Sequence, residues 1–192
     1  MKRTVRVPAT TANLGPGFDS FGCALGIYNT YTFEAIPRGL EITGCAERYR
    51  NFRNLAVRAY VMTLEEAGVP FTGLRMDMAE TQIPLSRGLG SSAAMIAAGV
   101  VAANGEAGYP FDNRKMLEIA TRIEGHPDNL APAFYGGLTA SMMEDGMPDT
   151  VSYEIAEGLR FVVCVPTFEL PTSKARKALP AEVSRADAVY NL

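Results

Sequence analysis

Three stretches hold residues whose types and spacing could do chemistry. The first, Pro84 to Ala98, places Gly88 and Gly90 before the small polar pair Ser91 and Ser92 and then an alanine-rich run. Glycine permits a tight backbone path with free N–H groups and alanine favours helix, so an anion would meet unpaired amides and the positive end of a helix dipole. The stretch therefore reads as a phosphate cradle, against the plainer alternative of a glycine turn that starts a buried helix. Two better-known nucleotide motifs are excluded. Gly88 to Ala93 fits G-x-G-x-x-A, yet Pro84 and Arg87 stand where a strand is required, and the later acids, Glu118 and Glu124, fall in a helical pattern. A nucleoside-triphosphatase P-loop needs lysine before its final Ser or Thr, and this loop has none.

The second stretch, Pro8 to Gly22, sets Asn13 and Asp19 among glycines and prolines that fix the backbone. Such a loop can present two polar side chains to a ligand, or the two can satisfy their own turns. The third runs from Glu118 through Glu124-Gly-His-Pro-Asp-Asn129 to Gly136-Gly137. A nucleotide needs a magnesium ion held by one or two protein oxygens, and Glu118 is a candidate for that, with a solvated helical glutamate as the alternative. Asp128 could serve only as a helix cap. Ser92, His126 and Asp128 could be drawn together as a hydrolytic triad, but no G-x-S-x-G elbow is present and a base two residues from its orienting carboxylate is awkwardly placed. His126 is better read as structural or substrate-lining.

These stretches need elements to hold them. Thr4 to Val7 reads as a short strand ended by Pro8, and Pro8 to Gly22 as a shaped loop. Cys23 to Pro37 alternates as a half-buried strand does, and Leu40 to Ala46 could pair with it across Arg38-Gly39. Asn54 caps a helix from Leu55 to Ala67, with Gly68 as its stop, and Leu74 to Ala79 is strand-like. The cradle helix runs to about Ala103 and stops at Asn104-Gly105; Asp112 caps a helix from Asn113 to about Ile123, and a short helix follows Asn129 towards Phe134. Leu138 to Met142, Thr150 to Ile155 and Leu159 to Val165 read as strands, the first two a hairpin. Thr172 to Ala178 is a short helix, and Ser184 caps a last one. The order implies an α+β fold without regular strand-helix alternation. The one boundary signal lies near Ala156 to Gly158.

The 192 residues suffice for one large domain or one domain and part of another, and 47% hydrophobic with 20% charged residues fits a globular chain with a substantial core. A net charge of −3 gives no general affinity for nucleic acid or anionic membrane. Cys23, Cys45 and Cys164 are dispersed and odd in number, which suits reduced thiols serving as core filler in a cytoplasmic protein. No apolar run matches a membrane span or a signal peptide, and one histidine argues against a zinc site.

Taken together, Pro8-Ala-Thr-Thr-Ala-Asn-Leu-Gly-Pro-Gly-Phe-Asp19, the cradle from Pro84 to Ala94, Glu124-Gly-His-Pro-Asp-Asn129 and Leu170-Pro-Thr-Ser-Lys-Ala-Arg-Lys-Ala-Leu-Pro180 resemble the family of galacto-, homoserine, mevalonate and phosphomevalonate (GHMP) kinases, over essentially the whole chain, and within it the homoserine kinases. The resemblance implies an ATP-binding first domain over residues 1–157, with a ribosomal-protein-S5-like sheet and helices, and over 158–192 the beginning of a ferredoxin-like second domain. It implies phosphoryl transfer from ATP to the side-chain hydroxyl of L-homoserine, a step of threonine synthesis, or to another small hydroxyl substrate. Pro84, Ser86, Arg87, Gly88, Leu89, Gly90, Ser91, Ser92 and Ala93 would surround the triphosphate, with Ser92 and Glu118 on magnesium and Asn54 towards the adenine. Asn13, Asp19, Asp128 and Asn129 would face homoserine and orient it, Asp19 or Asp128 being also the candidate proton acceptors. Arg176 would pair with its carboxylate, near Thr172. Family members are expected to run on through a longer second domain with a third glycine-rich motif. The chain is therefore expected either to keep the ATP cradle but turn over poorly or not at all, or to be completed by another copy, as a homodimer, or by another chain.

Overall fold

The computed structural model describes residues 1–165, 167–168, 175–180 and 182–191. Six strands form one mixed sheet: β1 (Lys2–Ala12), β2 (Phe21–Ala35), β3 (Gly39–Thr43), β4 (Gly73–Thr81), β5 (Leu138–Glu144) and β6 (Met147–Tyr153). Four helices belong to the body, α1 (Leu55–Glu66), α2 (Ser91–Glu106), α3 (Asn113–Glu124) and α4 (Leu130–Tyr135), and a fifth, α5 (Arg185–Asn191), is capped by Ser184, whose Oγ accepts from the Asp187 N–H at 3.1 Å. The fold is α+β, as expected.

β2 organises the sheet. β1 runs antiparallel along one of its edges from Lys2↔Glu34 to Ala12↔Gly22, while β4 takes the other edge at Asn29–Ala35 and β5 takes it at Phe21–Cys23. The expected hairpin between Cys23–Pro37 and Leu40–Ala46 therefore does not form. Both edges of β2 are occupied, so β3 lies outside β4 and parallel to it, with α1 as the crossover between them. Pro8 does not end β1 either. A register shift falls between Pro8 and Ala9, and β1 pairs only with β2, so the proline sits at a bulge in an edge strand, where its missing N–H is tolerated.

Tyr31 and Phe33 point from β2 into the helical layer, where Phe33 stacks on Tyr60 of α1 with centroids 5.8 Å apart. Burial pushes the phenols of Tyr31 and Tyr60 up to about 12. α2 is buried along most of its length and touches α1, α3 and β1. A Cβ on Gly99 would lie 2.2 Å from the Ala56 carbonyl oxygen, so α1 and α2 approach through that glycine. Asn104-Gly105 does not stop α2. The Asn104 side chain faces inward, bonded to both the N–H and the carbonyl of Phe111, and Gly105 leaves room for Arg3, whose guanidinium donates to its carbonyl at 2.6 Å.

β5 and β6 make the expected hairpin. Leu159–Val165 is not a strand: residues 159–165 carry no regular structure and are exposed. Of the expected helix from Thr172 to Ala178, residues 172–174, Thr172 included, lie outside those described; 175–176 are helical and 177–178 form a turn. Cys23 is core and Cys45 packs against it, but Cys164 is exposed; all three are free thiols. Among the described residues no helix is long and apolar enough to cross a membrane.

Candidate active site

The site grows from the start of α2. Gly90 occupies the N-cap in the left-handed region at φ 66°, preceded by Gly88 at 73° and Ser86 at 55°. No side chain caps α2 and no acidic residue stands in its first turn, so the amides of its first residues remain open beside the dipole's positive end. Leu89 is buried and anchors the loop; its carbonyl accepts from the Thr10 N–H of β1 at 3.2 Å. A Cβ on Gly90 would lie 2.0 Å from the Thr10 hydroxyl and 3.2 Å from Asn129 Oδ1. One nitrogen of Arg87 donates to the Thr167 carbonyl at 3.1 Å, whereas its Nη1 is buried without a partner among the described residues. An orphaned guanidinium nitrogen beside open amides suits an anion.

From this cradle a polar seam leads to the other candidates. The Thr10 hydroxyl donates to Asn129 Oδ1 at 2.9 Å. Asp128 is fully buried. Its Oδ1 accepts from the Asn129 N–H at 2.8 Å and meets His126 Nδ1 at 2.5 Å. That bond holds His126 protonated to higher pH than an ordinary imidazole, against the opposing effect of burial. Gly22 lets the strand pass beneath, for a Cβ there would lie 1.8 Å from the Asp128 carbonyl. Across the seam Asn13 and Asp19 both adopt left-handed backbone, at φ 59° and 56°, and Asn13 Oδ1 accepts from the Asp19 N–H at 2.8 Å. Asn13 thus shapes the loop, and Asp19 is what the loop presents. Arg176 grips Asp19 with both guanidinium nitrogens, one at 3.0 Å from Oδ2 and the other on Oδ1, with its charge 5.5 Å from the Phe18 ring centre. The Asp19 carboxylate holds the guanidinium pKa above its ordinary value.

Two candidates sit elsewhere. Glu118 pairs with Lys115 at 2.9 Å, in an α1–α3 network that also joins Lys115 and Arg122 to Glu66. The carboxylate beside Ser92 is Glu124, which accepts from the Ser92 hydroxyl at 2.8 Å. Sequence reasoning passed over Glu124, although a signal was present: an acid on the last turn of a helix faces the dipole's negative end and needs a reason to be there. Asn54 is buried and wholly engaged locally, accepting from the Ala56 N–H at 3.0 Å and donating to the Tyr49 carbonyl at 3.1 Å. It caps α1. The His126–Asp128 pair does form, contrary to expectation, but the Ser92 hydroxyl is bonded to Glu124, so no triad is assembled.

Residues 54–137 match the family described as GHMP kinases N terminal domain. A homoserine kinase of Clostridium botulinum (strain Eklund 17B / Type B) is 43% identical over 188 residues, which cover 98% of this chain and 63% of that protein. The crystal structure of homoserine kinase from Cytophaga hutchinsonii superposes with a TM-score of 0.83 at 28% identity, over 99% of this chain and 64% of that one. Mevalonate kinase from Methanococcus jannaschii shares the fold, with a TM-score of 0.64 at 14% identity over 80% of this chain and 56% of its own. The chain spans about 63% of the length of the curated relatives it matches. The cradle and the Asp128-Asn129 end of the polar seam fall within the residues that match the N-terminal domain of the GHMP kinases, and the chain is similar to homoserine kinases over nearly its whole length.

Proposed function

We propose that the chain is the ATP-binding part of a homoserine kinase, which transfers the γ-phosphoryl group of ATP to the side-chain hydroxyl of L-homoserine in the cytoplasm. The observation that carries this is the continuous seam from Gly90 through Thr10, Asn129 and Asp128 to Asp19 and Arg176, with an anion-binding pole at one end and both signs of charge at the other. An α-amino acid carries a carboxylate and an ammonium. The planar fork of Arg176 suits the carboxylate and Asp19 the ammonium, once the two release each other. The hydroxyl would then lie towards Asn129, beside the start of α2.

Phosphoryl transfer passes through a loose transition state, so the protein's main work is alignment and electrostatic stabilisation. The open amides of Gly88 to Ala93 and the free Arg87 nitrogen would stabilise charge on the phosphate oxygens, while Pro84, Ser86 and Leu89 shape the loop. Magnesium, when bound, would neutralise part of that charge; hydroxyl and carboxylate oxygens suit it, and Ser92 with Glu124 would hold it in place of the Glu118 of the sequence reading. The adenine would meet the exposed rings of Tyr49 and Phe52 beside Asn54. Asp128 orients His126 and Asn129 through its Oδ1.

A coupled assay for ADP release, with L-homoserine, L-serine and mevalonate as acceptors and light scattering alongside, tests the reading. Turnover strongest with homoserine supports it. Turnover with another acceptor reassigns the substrate, and ATP binding without turnover by any of them leaves a nucleotide-binding segment.

A further inference from the structure

Asp19, His126 and Asp128 belong to the loop after β1 and the connection between α3 and α4, yet one donor atom from each lies within 4.8 Å of the other two. Asp128 is fully buried. Its Oδ1 meets His126 Nδ1 and both the backbone and the side-chain nitrogen of Asn129, but its Oδ2 is buried with no hydrogen-bond partner among the described residues. A buried carboxylate oxygen is costly to leave unpaired, so Oδ2 is open to a partner that the described residues do not supply. Arg176 does not supply it, because both of its bonded nitrogens go to Asp19, at the more exposed edge of the cluster. The donor set is one imidazole and two carboxylates, a mixture that suits Zn2+ and its neighbours, whereas Mg2+ prefers oxygens and water. A dication bound by the imidazole takes the place of the proton between His126 Nδ1 and Asp128, so binding releases a proton.

The geometry points to a binding site for a transition-metal dication of the Zn2+ or Co2+ class, held by Asp19, His126 and Asp128 and distinct from the oxygen pair of Ser92 and Glu124. The dication takes Asp19 from Arg176 and meets the unpaired Asp128 oxygen. Two consequences follow from that exchange. Arg176 and the dication compete for one carboxylate, and the dication excludes the ammonium of an amino acid from the same place. The second consequence rests on the homoserine kinase reading; the first does not.

Titration of the whole chain with Co2+, followed by its visible absorption, and with Zn2+, followed by calorimetry, both in magnesium-containing buffer, tests the site without any activity measurement. One equivalent should bind, and His126→Ala should weaken binding by about a hundredfold. Arg176→Ala should tighten it several-fold, because Asp19 is then released, an effect that a merely structural arginine would not produce. Circular dichroism on each variant separates loss of the site from loss of fold, and Asp128→Asn, which keeps the shape, supplies a second weakened variant. Absence of saturable binding, binding indifferent to His126→Ala as expected of the exposed Cys164 thiol, or weaker binding on Arg176→Ala would overturn the proposal. In the ADP assay Zn2+ should raise KM for homoserine and leave kcat unchanged. If no acceptor supports turnover, the cobalt spectrum still decides whether the site exists.

Discussion

The helix starts of this protein are of two kinds. α1 and α3 close themselves: Asn54 accepts from the Ala56 N–H at 3.0 Å and Asp112 from the Lys115 N–H at 2.8 Å. α2 begins on a left-handed glycine with no side-chain cap, although it is the most buried helix of the three. A helix packed on nearly every side can leave its first amides open, because contacts along its length stabilise it, whereas the shorter, half-exposed α1 and α3 depend more on their ends. Of these three starts only that of α2 lacks a side-chain cap, which suits it to the phosphate role proposed above.

The largest expected effect comes from closing that start. Gly90→Ala drives a Cβ into the Thr10 hydroxyl and forces alanine to hold φ 66°, so it should cost about 3 kcal/mol in urea denaturation and abolish binding of a fluorescent ATP analogue. If affinity for the analogue survives unchanged, the start of α2 is not the phosphate site. The reciprocal changes are smaller. Asp112→Ala should cost about 1 kcal/mol, and Asn54→Ala rather more because a buried amide also loses Tyr49, with nucleotide affinity retained in the folded protein in both cases. The smallest effect concerns the tie between α1 and α3. Bonds from Lys115 and Arg122 hold Glu66 at about 2, well below its ordinary 4.5. Its folded pKa is depressed, so its contribution is fully present above pH 4.5 and fades as pH falls towards 2. The difference in urea midpoint between the native protein and Glu66→Gln should shrink over that window, and a constant difference would mean that the ion pairs add nothing.

Features written in neighbouring residues were legible from sequence. The caps at Asn54, Asp112 and Ser184 and the hairpin of β5 and β6 each depend on groups within a few positions of one another. Reading failed where partners are remote. Leu40–Ala46 follows β2 directly and looked like its hairpin mate, but the hydrogen-bonding edges of β2 are claimed by β1 and by the distant β4 and β5. Leu159–Val165 has the composition of a strand yet carries no regular structure, although the outer edge of β6 is free among the described residues. Glu118 and Glu124 lie on one helix, and only the angle at which α3 meets α2 brings the second to Ser92 and leaves the first with Lys115.

By itself, then, the sequence determined the local pieces: a glycine-rich helix start, a rigid loop carrying Asn13 and Asp19, and an Asp-Asn pair before a short helix. Each follows from the conformational preferences of a few adjacent residues. Tertiary structure alone decided which carboxylate Ser92 meets, that Asp128 is buried against His126, and that Arg176 is engaged by Asp19. These pairings join residues 2 to 157 positions apart, and they are chosen by packing of the whole chain, in which each buried charge must find its partner among elements the local sequence cannot see.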